Sequence, residues 1–485
     1  MRLKRSIILD EFGRPYKRPP RKSVYDSAED GATDRRHWAR GVDNLSAALA
    51  NSLTVRKTLR ERARYEFANN SYAKGLFRGI ANDLIGTGPK IQFESEDRNL
   101  KQRFIEWSRE VSLTAKLHTA RVTKGRDGEV FFVVYSDDAL RGPIKLNVML
   151  VETDRVTDPD WAFGLRSDVN DGITYDPNGR PLTYTILDGH PADITPSKAN
   201  SKTYDAQYVF HWYQVDRPGQ LRGIPELTAG LPLFAQLRRY TKAVLTAAET
   251  AADFAVLLKT DYPADGEDPS GEPFDTIELE RGLMTTLPAG VTAEQFKAEQ
   301  PTTTHKEFKG ELLREGGREV NVPYNRMSGD SSSYNYSSAK LDQQIYERAL
   351  EVDRYELESV VLGNLVRMWI KEASMMPGLL PSDLVIDSTG NVPHKWYWDG
   401  SKSIDPLKDA VSDGQRLQDN TITLAEIYAE KGQDWEEALK QRAKEIALLR
   451  ELGIVGDASA STGDQVTKDA ALQSRLDLVG AYSGQ

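Results

Sequence analysis

The feature that most narrows the folds open to this chain is a long, proline-free amphipathic stretch, residues 337–373. Leu341, Ile345, Val352, Leu362, Val366 and Trp369 share one face of a 3.6-residue period. Glu347, Arg348, Glu351, Asp353, Arg354, Glu356 and Glu358 charge the remainder. At 1.5 Å per residue the helix spans roughly 55 Å, which is long for a compact domain. Ser337 or Ser338 is placed to cap it.

Other segments have other periods. Residues 45–84 read as helices. The cleanest carries Ala73, Leu76, Ile80 and Leu84 on one face, with Asn70 or Ser71 as its cap and Gly86 as its end. A further helix is expected near residues 100–110. Residues 120–215 change to short runs rich in Val, Ile, Tyr and Phe, such as GEVFFVVYS and YVFHWYQV, separated by turn signals. The fold class expected is α+β, with helices wrapped around mostly antiparallel sheet.

Helix returns over 225–258, with Leu233, Leu237, Val244, Ala248 and Ala255 on one face. Gly230 and Pro232 are placed to bend or restart its first turns. Its alanine-rich second half suits close helix packing or an ordinary core. Residues 259–300 are loop-rich, with ten acidic and three basic side chains, a net of −7 against −10 for all 485 residues. Such a run is either a solvated loop or a docking face for a basic partner. A helix follows over 304–320, then a polar, nearly uncharged loop, NVPYNRMSGDSSSYNY. From Trp396 onward come WYWDG and further helices. Residues 1–40, with Pro15, Pro19 and Pro20 among basic residues, read as a flexible arm. It either touches a neighbouring subunit or nucleic acid, or is a solvated terminus. Residues 457–485 are expected to be disordered.

The length is about three domains' worth of chain. With no cysteine, disulfides, thiolate metal sites and cysteine nucleophiles are excluded. No targeting segment or membrane span is expected. The sequence has no Gly-Lys dipeptide and hence no P-loop. It has no G-x-S-x-G or H-E-x-x-H, and its six histidines lie far apart. No catalytic constellation, metal site or cofactor is expected. A metal-dependent nuclease or hydrolase with scattered carboxylates stays as the alternative.

Four segments in order resemble the lambda-type family of phage portal proteins. NNSYAKGLFRGIANDLIGTG is similar to that family's N-N-P-Y helix ending in G-T-G, and VFHWYQVDRPGQLRGIPEL to its histidine strand followed by R-P-G-Q-x-R-G-x-P. VPYNRMSGDSSSYNYSSAKL resembles its V-P-Y…L-S-G-D…N-Y-S-S-A-R segment, and WYWDG…DPLK its W-x-W-x-G…D-P-x-K. Ser71, Met327 and Lys340 stand where the family has proline, leucine and arginine. The similarity covers about residues 45–450.

The resemblance implies a portal fold with helix-rich wing and crown, a β-rich segment, a two-helix stem and a small α/β clip. The wing would be 41–224 with the long helix and its return at 337–395. The stem would be 225–258 and 301–318, the clip 259–300, the tunnel loop 319–336 and the crown 396–456. It implies a non-enzymatic twelvefold ring at one capsid vertex. This ring would pass double-stranded DNA without sequence specificity, and would meet the terminase large subunit, a head–tail adaptor, the major capsid protein and scaffold, but no membrane. It would assemble in the host cytoplasm and end in the virion. DNA-facing candidates are Asn325, Arg326, Ser328, Asp330, Ser331, Ser332 and Ser333. Clip residues for partner docking are Asp265, Glu267, Asp268, Glu272, Asp275, Glu278 and Glu280.

Overall fold

The computed structural model describes residues 45–95, 98–158, 169–193, 200–252, 256–260, 291–295, 305–332, 334–382, 384–400 and 405–454. The expected N-terminal arm, the C-terminal tail and the seven clip acids lie outside them.

The chain opens with α1 (Ala47–Ala50), α2 (Leu53–Asn69) and α3 (Ser71–Ile85). The Asn70 side chain caps α3 by accepting from the Tyr72 and Ala73 amides, and Gly86 ends it at φ 54°. Its expected stripe, Ala73, Leu76, Ile80 and Leu84, is buried together with Phe77 and Ile85. Next come β1 (Lys90–Phe93), α4 (Arg98–Glu110) and α5 (Leu113–Asp127). The β-rich block therefore starts later than residue 120, because α5 runs on until Gly128 stops it at φ 92°. A side chain there would overlap the Ile224–Pro225 backbone.

Three strands, β2 (Glu129–Ser136), β3 (Leu146–Val151) and the later β8 (Val209–Tyr213), form one antiparallel sheet with β2 in the centre. Phe132 of β2 lies opposite Leu150 on one side and Phe210 on the other. Strand alternation splits β2 between two cores. Val130, Phe132 and Val134 join the helices, while Phe131 and Val133 join a smaller cluster with Ile173, Tyr184 and Ile186. That cluster lies under a four-stranded antiparallel meander, β4 (Val169–Asn170), β5 (Ile173–Tyr175), β6 (Pro181–Leu187) and β7 (Ser201–Asp205). Strand β8 (Val209–Tyr213) then closes the first sheet. The α+β expectation holds.

The expected helix over 225–258 is shorter at both ends: α6 is Leu231–Ala252. Turns fill 225–230, and Pro232 falls in the first helical turn, where its missing N–H costs nothing. Residues Val256–Thr260 form strand β9, paired antiparallel with β10 (Val291–Gln295). The buried face of α6 is Leu231, Phe234 and Leu237; Leu233, Val244 and Ala248 are only half-buried, and Ala255 lies outside the described residues.

Helix α7 (His305–Arg318) runs back along α6. At one end Tyr240 stacks on His305 with ring centroids 5.3 Å apart. At the other, Glu319 accepts from the Ala229 and Gly230 amides at 2.7 and 2.8 Å, just before the start of α6. The segment expected as a polar loop contains α8 (Tyr324–Ser328), closed by Gly329 at φ 71°.

The long helix is real but not uniform. It comprises α9 (Tyr336–Leu357), a π turn (Glu358–Leu362) and α10 (Gly363–Ser374). Its cap is Asn335 rather than Ser337. The Asn335 side chain accepts from the Ser338 amide, and the Ser338 hydroxyl completes the capping box. The single stripe read from the sequence is broken as well. Leu362, Val366 and Trp369 are buried, whereas Leu341, Ile345 and Val352 are more than half exposed. An i→i+5 turn takes one residue more than an α turn, which shifts the phase by about 100°. The buried face of α9 is accordingly Tyr346, Leu350 and Leu357.

Strand β11 (His394–Tyr397) pairs antiparallel with β1, Phe93 opposite His394, a pairing with no signal in the sequence. Trp396, placed at the start of the expected crown, thus packs on Phe104, which also meets Trp369. Helices α11 (Pro406–Gln418), α12 (Leu424–Glu430) and α13 (Trp435–Glu451) end the described chain.

Candidate nucleic-acid interface

The α7–α8 turn is built by close approach. Gly310, Gly316 and Gly317 are buried along α7. A Cβ on Gly317 would press into the Val322 carbonyl. Asn321 takes a left-handed φ of 55° to reverse the chain. The Val322 amide then bonds to the Gly317 carbonyl at 2.9 Å. Met327 anchors α8 in the core. The Arg314 guanidinium lies 4.4 Å from the Tyr324 ring.

On this base the expected DNA-facing residues separate by their bonding. Asn325 is half-buried, and its oxygen accepts from the Arg326 amide. The Ser328 hydroxyl donates to the Tyr324 carbonyl at 2.7 Å and accepts from the Asp330 amide at 3.1 Å. Asp330 accepts from the Ser332 amide and pairs with Lys306 at 3.6 Å. Hydrogen bonds from Ser332, with Lys306 beside it, hold its carboxyl below the usual range. Ser331 and Ser332 are exposed; Ser333 lies outside the described residues.

Arg326 is half exposed, and its Nη1 lies 3.3 Å from Asp83 of α3. Asp83 also accepts from the Tyr346 hydroxyl at 3.0 Å, and the Arg326 guanidinium lies 5.9 Å from the Tyr346 ring. A partner 243 residues away in sequence has no local signature.

The sequence profile described as phage portal protein, lambda family, matches residues 34–354, roughly two thirds of the chain. The chain belongs to that family. A probable portal protein of Halomonas phage phiHAP-1 is 26% identical over 432 residues, covering 82% of each protein. Among solved structures, the virion of a native gene transfer agent particle contains a similar chain at 12% identity and TM-score 0.47, covering 77% of this chain and 93% of that one. A portal protein of the HK97 family from Corynebacterium diphtheriae is similar at 10% identity and TM-score 0.28, covering 65% and 91%.

In this portal protein the motif residues are joints. The G-T-G end of α3 meets WYWDG: Asp399 accepts from the Thr87 amide at 2.5 Å and from its hydroxyl at 2.9 Å. The R-P-G-Q-x-R-G-x-P segment folds on Glu129, the first residue of β2. That carboxylate accepts from Arg222 at 2.7 Å, His211 Nε2 at 2.9 Å and the Gly223 amide at 2.8 Å. A side chain on Gly223 would overlap the Gly128 carbonyl. Burial raises the proton affinity of Glu129, but Arg222 and the His211 hydrogen bond outweigh it and keep the carboxyl well below its ordinary value. Burial, with Arg222 and Arg56 nearby, lowers His211, so a neutral imidazole donates to the carboxylate.

Sequence reasoning missed the layer around this joint. Arg56, Arg60 and Arg64 occupy successive turns on one face of α2. They pair at 2.8 Å with Asp171, Asp154 and Asp127 respectively. On α5, Arg121 and Lys124 meet Glu226 and Asp353, and Lys124 also reaches Glu356. The four-residue arginine spacing was the available signal, since charges at such spacing inside a packed helix need buried partners.

Proposed function

We propose that copies of this chain close head to tail into a ring at one vertex of the capsid. The ring would be twelvefold in the particle, and its passage would admit and release double-stranded DNA. Membership of the portal family carries this reading. A hairpin of two antiparallel helices, α6 and α7, ends in the α8 segment and supports the assignment of stem and tunnel. DNA is a dense line of negative charge, and a freely basic wall would hold it through counterion release. Lys306 and Arg326 are each paired with an acid, which fits a passage that touches phosphates without retaining them. The clip's net charge of −7, repeated around a ring, would form a negative collar. Asp265, Glu267, Asp268, Glu272, Asp275, Glu278 and Glu280 would dock basic faces of the terminase large subunit and later of the head–tail adaptor. The outer wing would meet the major capsid protein and scaffold. Assembly would take place in the host cytoplasm, and ATP hydrolysis would belong to the terminase.

Mass in solution tests the reading. Twelve copies of a 54.3 kDa chain weigh about 650 kDa, and an end-on view shows an annulus. A monomer at every concentration, with particles lacking the protein still filling with DNA, sinks it. A hydrolase predicts a monomer or dimer with metal-dependent activity.

A further inference from the structure

Asp83 belongs to none of the residues expected to face DNA, yet it pairs with the one cation among them. Its carboxylate meets Arg326 Nη1 at 3.3 and 3.4 Å, a single-nitrogen contact and not a two-nitrogen fork. The carboxylate is held in place from behind. Tyr346 donates its hydroxyl to Oδ2 at 3.0 Å, and Arg354 binds the carbonyls of Asp83 and Leu84 at 2.9 and 3.1 Å. The acid is thus fixed, while the Arg326 side chain is 44% exposed. A second cation of the same region, Lys306, faces Asp330 at 3.6 Å, and Asp330 is itself fixed by Ser332.

We propose that Asp83 is a positioning residue for the DNA contact of Arg326. It aims the guanidinium and competes with phosphate for it, so the contact is made and released as the duplex passes. This inference rests on reading residues 319–336 as the DNA-facing segment. A phosphate that engages Arg326 has to displace a carboxylate already there, so little net positive charge is presented per copy. Without the acid, every copy offers an uncompensated cation at one level of the passage, and the counterions released on binding increase accordingly.

The test uses the assembled full-length protein and a fluorescent duplex of random sequence, with binding followed by anisotropy across a KCl series. For Asp83→Asn the expected result is tighter binding and a salt dependence steeper by about 0.9 in log K against log salt for each phosphate newly engaged. Asp83→Glu restores the original slope. Arg326→Ala weakens binding, and Asp83→Asn with Arg326→Ala behaves as Arg326→Ala alone. A generally damaged ring would not bind more tightly, so the direction separates this role from a purely structural one. Asp83→Ser removes the same charge and takes the place of Asp83→Asn if that variant does not assemble. If Arg326→Ala weakens binding while Asp83→Asn leaves affinity and slope unchanged, the role of Asp83 is wrong and the DNA-facing reading stands. If Arg326→Ala also leaves binding unchanged, the DNA-facing reading fails first.

Discussion

Glu129 ties the central strand to two other segments of the chain. It begins the central strand, and its fully buried carboxylate takes a histidine from β8 and an arginine and a backbone amide from the segment that leads into α6. Removing charge from one side of such a pair leaves the other buried and uncompensated, which costs about 3–5 kcal/mol. Glu129→Gln should therefore lower the urea midpoint of the protein markedly while leaving Arg222 and His211 in place. An unchanged midpoint would show that the joint is not what fixes β2 to the segment before α6. The sequence did not disclose Glu129, because its partners lie 82 to 94 residues downstream. It did disclose the segment carrying those partners, through the R-P-G-Q-x-R-G-x-P spacing, without indicating that the arginine points inward.

At the level of elements, periodicity located helices and central strands well and located their ends and phases poorly. Helix α3 was legible because its cap, stripe and terminal glycine agree. The long helix was legible in extent, but its buried face was not, since no rule in a uniform 3.6-residue period reports a π turn. The β1–β11 pair was invisible because two four-residue strands some 300 residues apart leave no local pattern. The cap of α9 can be tested. Asn335→Ala removes the acceptor for the Ser338 amide and should cost the first turn about 1 kcal/mol. Amide hydrogen exchange at Tyr336 to Lys340 should quicken while exchange in α10 stays as it was; equal protection throughout would rule out the cap as the anchor. Of the candidate interface, the α7–α8 segment was readable from its motif, but Asp83 was not.

For the molecule as a whole, buried charge sets the response to acid. Burial raises Asp127, Glu129, Asp154 and Asp353, but their arginine, lysine and histidine partners more than compensate and hold all four below their ordinary values. Folded-state values below unfolded ones mean that the unfolded chain takes up protons first as pH falls. The stabilisation is therefore complete above about pH 5 and is lost progressively below it. The thermal midpoint should decline gently below about pH 7, because unfolding lets His211 take up a proton that burial denies it, and then drop steeply below about pH 5; a level midpoint down to pH 3 would contradict this. The wide turn at Glu358–Leu362 makes the long helix sensitive to its length. Point changes along the long helix alter one side chain each, but losing a single codon in those five positions would rotate one half against the other. Asp353 and Glu356 would swing off Arg121 and Lys124, although mass and composition would barely change. The number of residues in those five positions, as much as the buried Val361 and Leu362 themselves, holds the two halves in phase.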